Sequence, residues 1–145
     1  MVVFIDLKKA FDIVDHNILL RKLEIYGIKG SALSLIKSYL SERTQKCQVN
    51  GVVLSGRSVK CGIPQGSILG PLFFLLYIND LLECLTKTTP RLFADDTNLT
   101  AIGETINEVE IAMNSDLECL KGWIQANKLS LNIAKTEFLV IGYNS

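Results

Sequence analysis

Hydrophobic and polar positions divide the chain into short runs of two different periods. Val2 to Ile5 is a continuous apolar run rich in β-branched residues, which predicts a buried strand starting almost at the first residue. Asp15 is placed to cap a helix carrying Leu19, Leu20, Leu23 and Tyr26, with Gly27 to end it. Ser31 is the expected cap of a second helix, whose Leu33, Ile36 and Leu40 fall on one face. Gln45 to Val49 and Val52 to Lys60 read as extended segments joined at Asn50-Gly51, a pair that favours a tight hairpin turn. Pro71 is suited to the first helical position of a segment from Leu72 to about Leu85, in which Leu72 to Ile78 are apolar all round, the pattern of a helix buried on most sides.

Arg91 to Ala94 and Thr97 to Ile102 read as two strands with Asp95-Asp96 as the turn between them. Thr105 and Glu108 form a capping box, and Val109, Met113, Leu117, Leu120 and Ile124 follow at helical spacing, predicting a helix to about Asn127. Thr136 to Ile141 is the last expected strand. The order of strand, helices, hairpin, helix, hairpin, helix and strand predicts an α+β fold, an antiparallel sheet with helices on one face and a ferredoxin-like core. A single domain over residues 1–145 is expected. Because domains seldom open on a central strand, the first residue is expected to lie inside a longer protein.

Composition narrows the class. Apolar residues make up 48% and charged residues 21%, which is a folding composition. The formal charge of zero counts against independent binding of nucleic acid. It leaves room for a chemical core whose grip on a polyanion comes from other regions. Cys47, Cys61, Cys84 and Cys119 show no C-x-x-C spacing and read as reduced, mostly packed thiols. The apolar run from Ile68 to Ile78 is far short of the ~20 residues of a membrane span. With no targeting segment in view, a nuclear or cytoplasmic location is the default expectation and no membrane partner is expected.

The chemistry rests on carboxylates. Asp6 closes a strongly apolar strand, and Asp95 and Asp96 share a turn between two others. Charge beside a core costs free energy unless it is paired or bound. If the strands are neighbours, the carboxylates converge and repel, and hard divalent cations relieve that repulsion. A turn cap at Asp6 and a solvated pair at Asp95-Asp96 are the plainer readings of the same residues, and composition does not choose between them.

Four motifs, in order, make the choice. Phe4-Ile5-Asp6-Leu7-Lys8-Lys9-Ala10-Phe11-Asp12 resembles the first palm motif of reverse transcriptases of non-LTR retrotransposons. Gly62-Ile63-Pro64-Gln65-Gly66-Ser67-Ile68-Leu69-Gly70-Pro71 resembles the second, Phe93-Ala94-Asp95-Asp96-Thr97 the third, and Leu131-Asn132-Ile133-Ala134-Lys135-Thr136-Glu137 the fourth. The resemblance covers essentially the whole chain. It implies the palm of an RNA-directed DNA polymerase that adds deoxynucleotides to a primer 3′-hydroxyl with two Mg²⁺ ions, for which Mn²⁺ can substitute.

Residue by residue, the resemblance makes Asp6 and Asp95 metal ligands and Asp96 an accessory carboxylate near the primer end. It places the Leu7 carbonyl by the triphosphate and makes Phe11 a steric gate against a 2′-hydroxyl. It sets Gln65 and Gly66 against the template base and incoming nucleotide, and makes Lys135 a proton donor to pyrophosphate. Asp12 and Asp15 are expected to cap or pair locally, His16 to be a surface residue at a helix start, and Trp123 to anchor the long helix. The partners implied are an RNA template, a DNA primer and deoxynucleoside triphosphates. Fingers and thumb, which such enzymes carry on either side of these motifs, are expected to lie outside residues 1–145, leaving the chain alone with little activity. A non-catalytic remnant of a degenerate retroelement and the palm of a maturase or telomerase relative are the competing readings. A small ferredoxin-like binding module would need exposed aromatic rings on its sheet, which the strand patterns do not clearly supply.

Overall fold

In the computed structural model, which describes residues 1–142, the chain divides into two compact units. One comprises Met1–Ala10 with Ile78–Ser145, and the other is Phe11–Tyr77.

The first unit is built on a four-stranded antiparallel sheet. Its strands are β1 (Val2–Ile5), β6 (Thr89–Phe93), β7 (Asp96–Thr100) and β8 (Glu137–Leu139), in the order β6-β7-β1-β8. The predicted strand at Val2 to Ile5 is therefore central, with β7 on one side and β8 on the other. Alternation sorts its side chains: Val3 and Ile5 are buried, whereas Phe4 is exposed. Cross-strand partners face the same way, so Phe93, Asp96, Arg91, Asn98, Phe4 and Glu137 share the open face. Exposed Phe4 and Phe93 supply the rings that the strand patterns did not clearly reveal.

The long helix α4 (Ile106–Ala126) starts on the predicted capping box, with Thr105 Oγ1 accepting from the Glu108 backbone and the Glu108 carboxylate accepting from the Thr105 backbone. Val109, Met113, Leu120 and Ile124 are buried, as their spacing requires. The helix ends with Lys128 at φ +53°, its amide donating to Gln125 while that of Leu129 donates to Ile124. That left-handed closure favours glycine, yet a lysine occupies it. A 3-10 helix (Asn79–Cys84) lies against α4, where Trp123 Nε1 donates to Asp80 Oδ1 at 3.2 Å.

Asp116, on the inner face of α4, is fully buried. It accepts from the backbone amides of Thr86, Lys87 and Thr88 and from Thr88 Oγ1 at 2.7–3.2 Å. Burial pushes this carboxyl upward, but the four donors outweigh it and hold the group below its usual value.

In the second unit, α1 (His16–Ile25) is capped by Asp15, whose Oδ1 accepts from the amides of Asn17 and Ile18. It closes at Gly27, φ +94°. α2 (Gly30–Leu40) begins one residue before the predicted cap, so Ser31 lies inside the helix and Lys29 occupies the cap without a side-chain bond. The hairpin forms at Asn50-Gly51, both at positive φ, but as two short ladders: β3 (Gln48–Val49) with β4 (Val52–Val53), and β2 (Thr44–Gln45) with β5 (Arg57–Ser58). Between them three residues, Leu54 to Gly56, oppose two, Lys46 and Cys47, which breaks the expected continuous strands.

The apolar segment after Pro71 is α3 (Gly70–Ile78), which continues as the 3-10 helix rather than as α-helix. Phe73, Phe74, Tyr77 and Ile78 are buried, while Leu72 and Leu75 are about half exposed. Of the cysteines, only Cys84 is partly buried; Cys47, Cys61 and Cys119 are exposed, contrary to the expectation of packed thiols. Among the described residues no helix is long and apolar enough to cross a membrane.

Candidate active site at the end of the central strand

β1 delivers Asp6 as the residue just past its last ladder position, half-buried between buried Ile5 and buried Leu7. On the adjacent strand the register pairs Ile5 with Thr97, so one step further Asp6 comes alongside Asp96. Asp96 is the first residue of β7, paired with Phe93 of β6. The connecting turn is therefore Ala94-Asp95, one residue earlier than the predicted Asp95-Asp96. Ala94 has φ +53°, a left-handed conformation that an alanine adopts only when its surroundings impose it. Strand alternation then separates the two aspartates: Asp96 is committed to the open face, while half-buried Asp95 belongs to the turn.

Phe4, Ile5, Asp6, Asp96, Thr97, Asn98 and Lys135 line one open cavity of about 380 Å³. Asp6, Asp96 and Lys135, three residues singled out from sequence, are thus brought together. Asp95 is not among the lining residues. Among the described residues no three His, Cys, Asp or Glu side chains form a group able to hold a metal, so the expected convergence of three carboxylates reduces to two. Two carboxylates on an open cavity do fit Mg²⁺, which keeps several waters and binds through one or two carboxylates plus substrate phosphates. They do not amount to a closed all-protein cage.

The carboxylate of Asp6 is held. Asn132 Nδ2 donates to Asp6 Oδ2 at 2.6 Å, and the Asn132 amide donates to the Asp6 carbonyl at 2.8 Å. Asn132 was passed over in the sequence, although it lies inside the fourth motif.

Leu7 bridges to Leu131, and its side chain is buried. In the second unit, the Phe11 ring is half-buried and stacks on Phe74 with centroids 4.5 Å apart. Gln65 Nε2 donates to Asp12 Oδ1 at 2.9 Å, which gives Asp12 a local partner. Gly66 has φ +79° with open space around it, whereas Gly62 is packed so closely that a Cβ there would meet the Asp12 carbonyl oxygen at 2.6 Å. His16 is half-buried, not a free surface residue: Nε2 lies 2.8 Å from the Gly62 carbonyl oxygen and donates to it in the tautomer protonated there. A histidine–carbonyl bond to a glycine 46 positions away leaves no local pattern in the sequence.

A larger groove, about 1060 Å³, runs between α4 and the sheet, over Val3, Ile5, Leu120 and Ile124. Its floor is apolar, whereas Asp6, Asp96 and Lys135 lie in the smaller cavity.

Residues 1–143 match the family described as "Reverse transcriptase (RNA-dependent DNA polymerase)". Over 92% of its length the chain is 31% identical to the probable RNA-directed DNA polymerase from transposon BS of Drosophila melanogaster, of which it covers 16%. It is 27% identical over 91% of its length to the RNA-directed DNA polymerase from mobile element jockey of the same species, of which it covers 15%. The chain thus spans about a sixth of the length of these relatives. Telomerase from Candida albicans, solved in complex with a TWJ fragment of telomeric RNA, has a similar fold: TM-score 0.70 at 16% identity, over 96% of this chain and 27% of that one. At that identity the likeness is one of fold alone.

Proposed function

This chain belongs to the reverse transcriptase (RNA-dependent DNA polymerase) family, on its non-LTR retrotransposon branch, and we propose that it is the palm that carries the family's nucleotidyl-transfer site. The observation that carries the reading is the single cavity shared by Asp6, Asp96 and Lys135. These side chains come from the residue just past β1, from β7 and from the turn before β8, and each lies in a different family motif. The strand order β6-β7-β1-β8, with β6 and β7 as a hairpin and α4 leading to β8, supports the ferredoxin-like arrangement of a polymerase palm.

In this reading, which takes the roles from the family motifs rather than from the cavity lining, Asp6 and Asp95 are the metal ligands and Asp96 is the accessory carboxylate beside the primer end. Two bound Mg²⁺ ions would activate the primer 3′-hydroxyl and neutralise charge on the transferring phosphate. The chain's own part is to orient. The Asn132 amide fixes Asp6, and the two-residue turn holds Asp95 next to Asp96. Lys135 projects from the turn before β8 as the donor of a proton to departing pyrophosphate, a transfer that a positioned acid accelerates by ~10²–10⁴. The Leu7 carbonyl faces the triphosphate. Phe11, braced by Phe74, serves as a rigid stop against a ribose 2′-hydroxyl. Gln65 and Gly66 lie against the template base and incoming nucleotide, with open space at Gly66 letting backbone approach closely. An RNA template, a DNA primer and deoxynucleoside triphosphates are the partners, in the nucleus or cytoplasm.

Primer extension on an RNA template with Mg²⁺ and the four deoxynucleotides tests this. The chain is assayed alone and joined to the regions that its relatives carry around the matched segment. Substrate positioning can account for ~7–11 kcal/mol of barrier lowering, so activity is expected in the joined protein and little in the chain alone. Asp95→Asn in the joined protein is expected to abolish it. Extension that survives Asp95→Asn would refute the assignment.

A further inference from the structure

The strand that pairs with β1 breaks beside Asp6. Phe4 pairs with Glu137, and Leu7 bridges to Leu131. Between these two points the β1 side has two residues, Ile5 at the strand's end and Asp6 just past it, while the opposite segment has five, Asn132 to Thr136. The three extra residues are looped out as a turn, and Lys135, the last of them, enters the cavity of Asp6 and Asp96. Such an excursion in a ladder re-aims side chains.

One residue ties this turn to the strand. The Asn132 amide donates to the Asp6 carbonyl, and its side chain donates to Asp6 Oδ2. The Asn132 carbonyl accepts from the amides of Lys135 and Thr136 and from Thr136 Oγ1, each at 3.0 Å. Asp6 and Lys135 are therefore held from opposite ends of one residue.

A carboxylate with both oxygens free rotates about its last bond and binds a cation through either oxygen or both. At 2.6 Å the Asn132 amide engages Oδ2, and among the described residues Oδ1 accepts no hydrogen bond. We propose that Asn132 is the positioning residue of the site: by holding Asp6 Oδ2 it presents Oδ1 as a single fixed ligand for a divalent cation, and by closing the turn it sets Lys135 in the same cavity. The inference rests on the proposed polymerase reading. An amide suits the role because it donates to the carboxylate without adding charge, whereas an acid at this position would repel Asp6 and a lysine would neutralise it.

The test is Mn²⁺ binding to the chain, read from loss of the free-ion EPR signal. The proteins compared are the unmodified chain, Asp6→Asn, Asn132→Leu and Thr136→Val. Leucine keeps the bulk of asparagine and the backbone bonds of the turn but removes the donor. Thr136→Val disturbs the same turn from its far side without touching the carboxylate. Partners that orient a metal ligand typically account for 10–100-fold in affinity. We expect Asn132→Leu to weaken Mn²⁺ binding about tenfold, Asp6→Asn to remove it, and Thr136→Val to change it by less than about threefold. In the joined protein, Asn132→Leu should raise the Mg²⁺ concentration for half-maximal extension while leaving the KM for deoxynucleotide unchanged, a split that simple loss of folded protein does not produce. Unchanged Mn²⁺ binding in Asn132→Leu, with binding lost in Asp6→Asn, would overturn the inference and leave the polymerase reading standing. No Mn²⁺ binding by the unmodified chain, either alone or with a deoxynucleoside triphosphate present, would overturn both.

Discussion

Replacing Asp116 by alanine removes the acceptor of four hydrogen bonds, three from consecutive amides at Thr86 to Thr88 and one from Thr88 Oγ1. A hydrogen bond to a charged acceptor is worth ~1.5–3 kcal/mol, but water can reach part of this exposed loop once the carboxylate has gone. The expected loss is ~3–4 kcal/mol, which for a chain of this size lowers Tm by roughly 8–14 °C. Urea unfolding followed by the fluorescence of Trp123, the sole tryptophan and a neighbour on α4, measures it within the same unit.

The pH dependence gives an independent check. Asp116 titrates below its usual value of 3.8 in the folded state, so its unfolded form takes up a proton first as pH falls. The stability due to its charge is fully present above the unfolded value and disappears as pH drops through the lowered folded one. The gap between the unmodified chain and Asp116→Asn should therefore hold from pH 7 to about 5 and narrow below about 4. A loss under ~1 kcal/mol for Asp116→Ala, or a gap to Asp116→Asn unchanged down to pH 2, would show that these donors are satisfied equally well by water.

Gly62→Ala should destabilise the second unit by more than ~1 kcal/mol, because φ is +85° and the new Cβ would meet the Asp12 backbone; urea midpoints check it. Lys128→Gly should stabilise α4 by ~0.5–1 kcal/mol by relieving a left-handed lysine, measured the same way. In the joined protein, Phe11→Ala should raise ribonucleotide use relative to deoxyribonucleotide use, and an unchanged ratio in competition assays would remove Phe11 from the gate. Lys135→Ala should slow single-turnover extension ~10²-fold or more, with a smaller effect for Lys135→Arg.

Local signals reported local structure well. The Asp15 cap, the Thr105–Glu108 capping box, the Asn50-Gly51 turn and the apolar face of α4 each depend on residues a few positions apart, and each forms. The errors came where a distant partner decides. Asp95-Asp96 has the better turn chemistry, yet pairing of Phe93 with Asp96 forces the turn onto Ala94-Asp95, against the preference of alanine. Ser31 is a good cap by type, but the chain reverses early, at Gly30. Asp116 reads as one more polar residue in a helix, because its donors lie 28–30 positions away. In the candidate site, motif order indicated Asp6, Asp95, Asp96 and Lys135, and the cavity gathers all of these but Asp95. Asn132 stayed invisible because its partner is 126 residues distant. An amide inside a motif that already supplies a lysine is the signal that could have found it.

The most direct measurement is the single-turnover rate of deoxynucleotide addition to a primer on an RNA template, by the joined protein and its Asp6→Asn form. The substitution keeps the size of the side chain and removes the charge at the end of β1. A fall of at least ~10²–10³-fold, with primer–template binding retained, is predicted for a carboxylate that stabilises charge at the reacting phosphate. An Asp6→Asn protein that extends primers within about threefold of the unmodified rate would contradict the claim that this cavity is where the chemistry occurs.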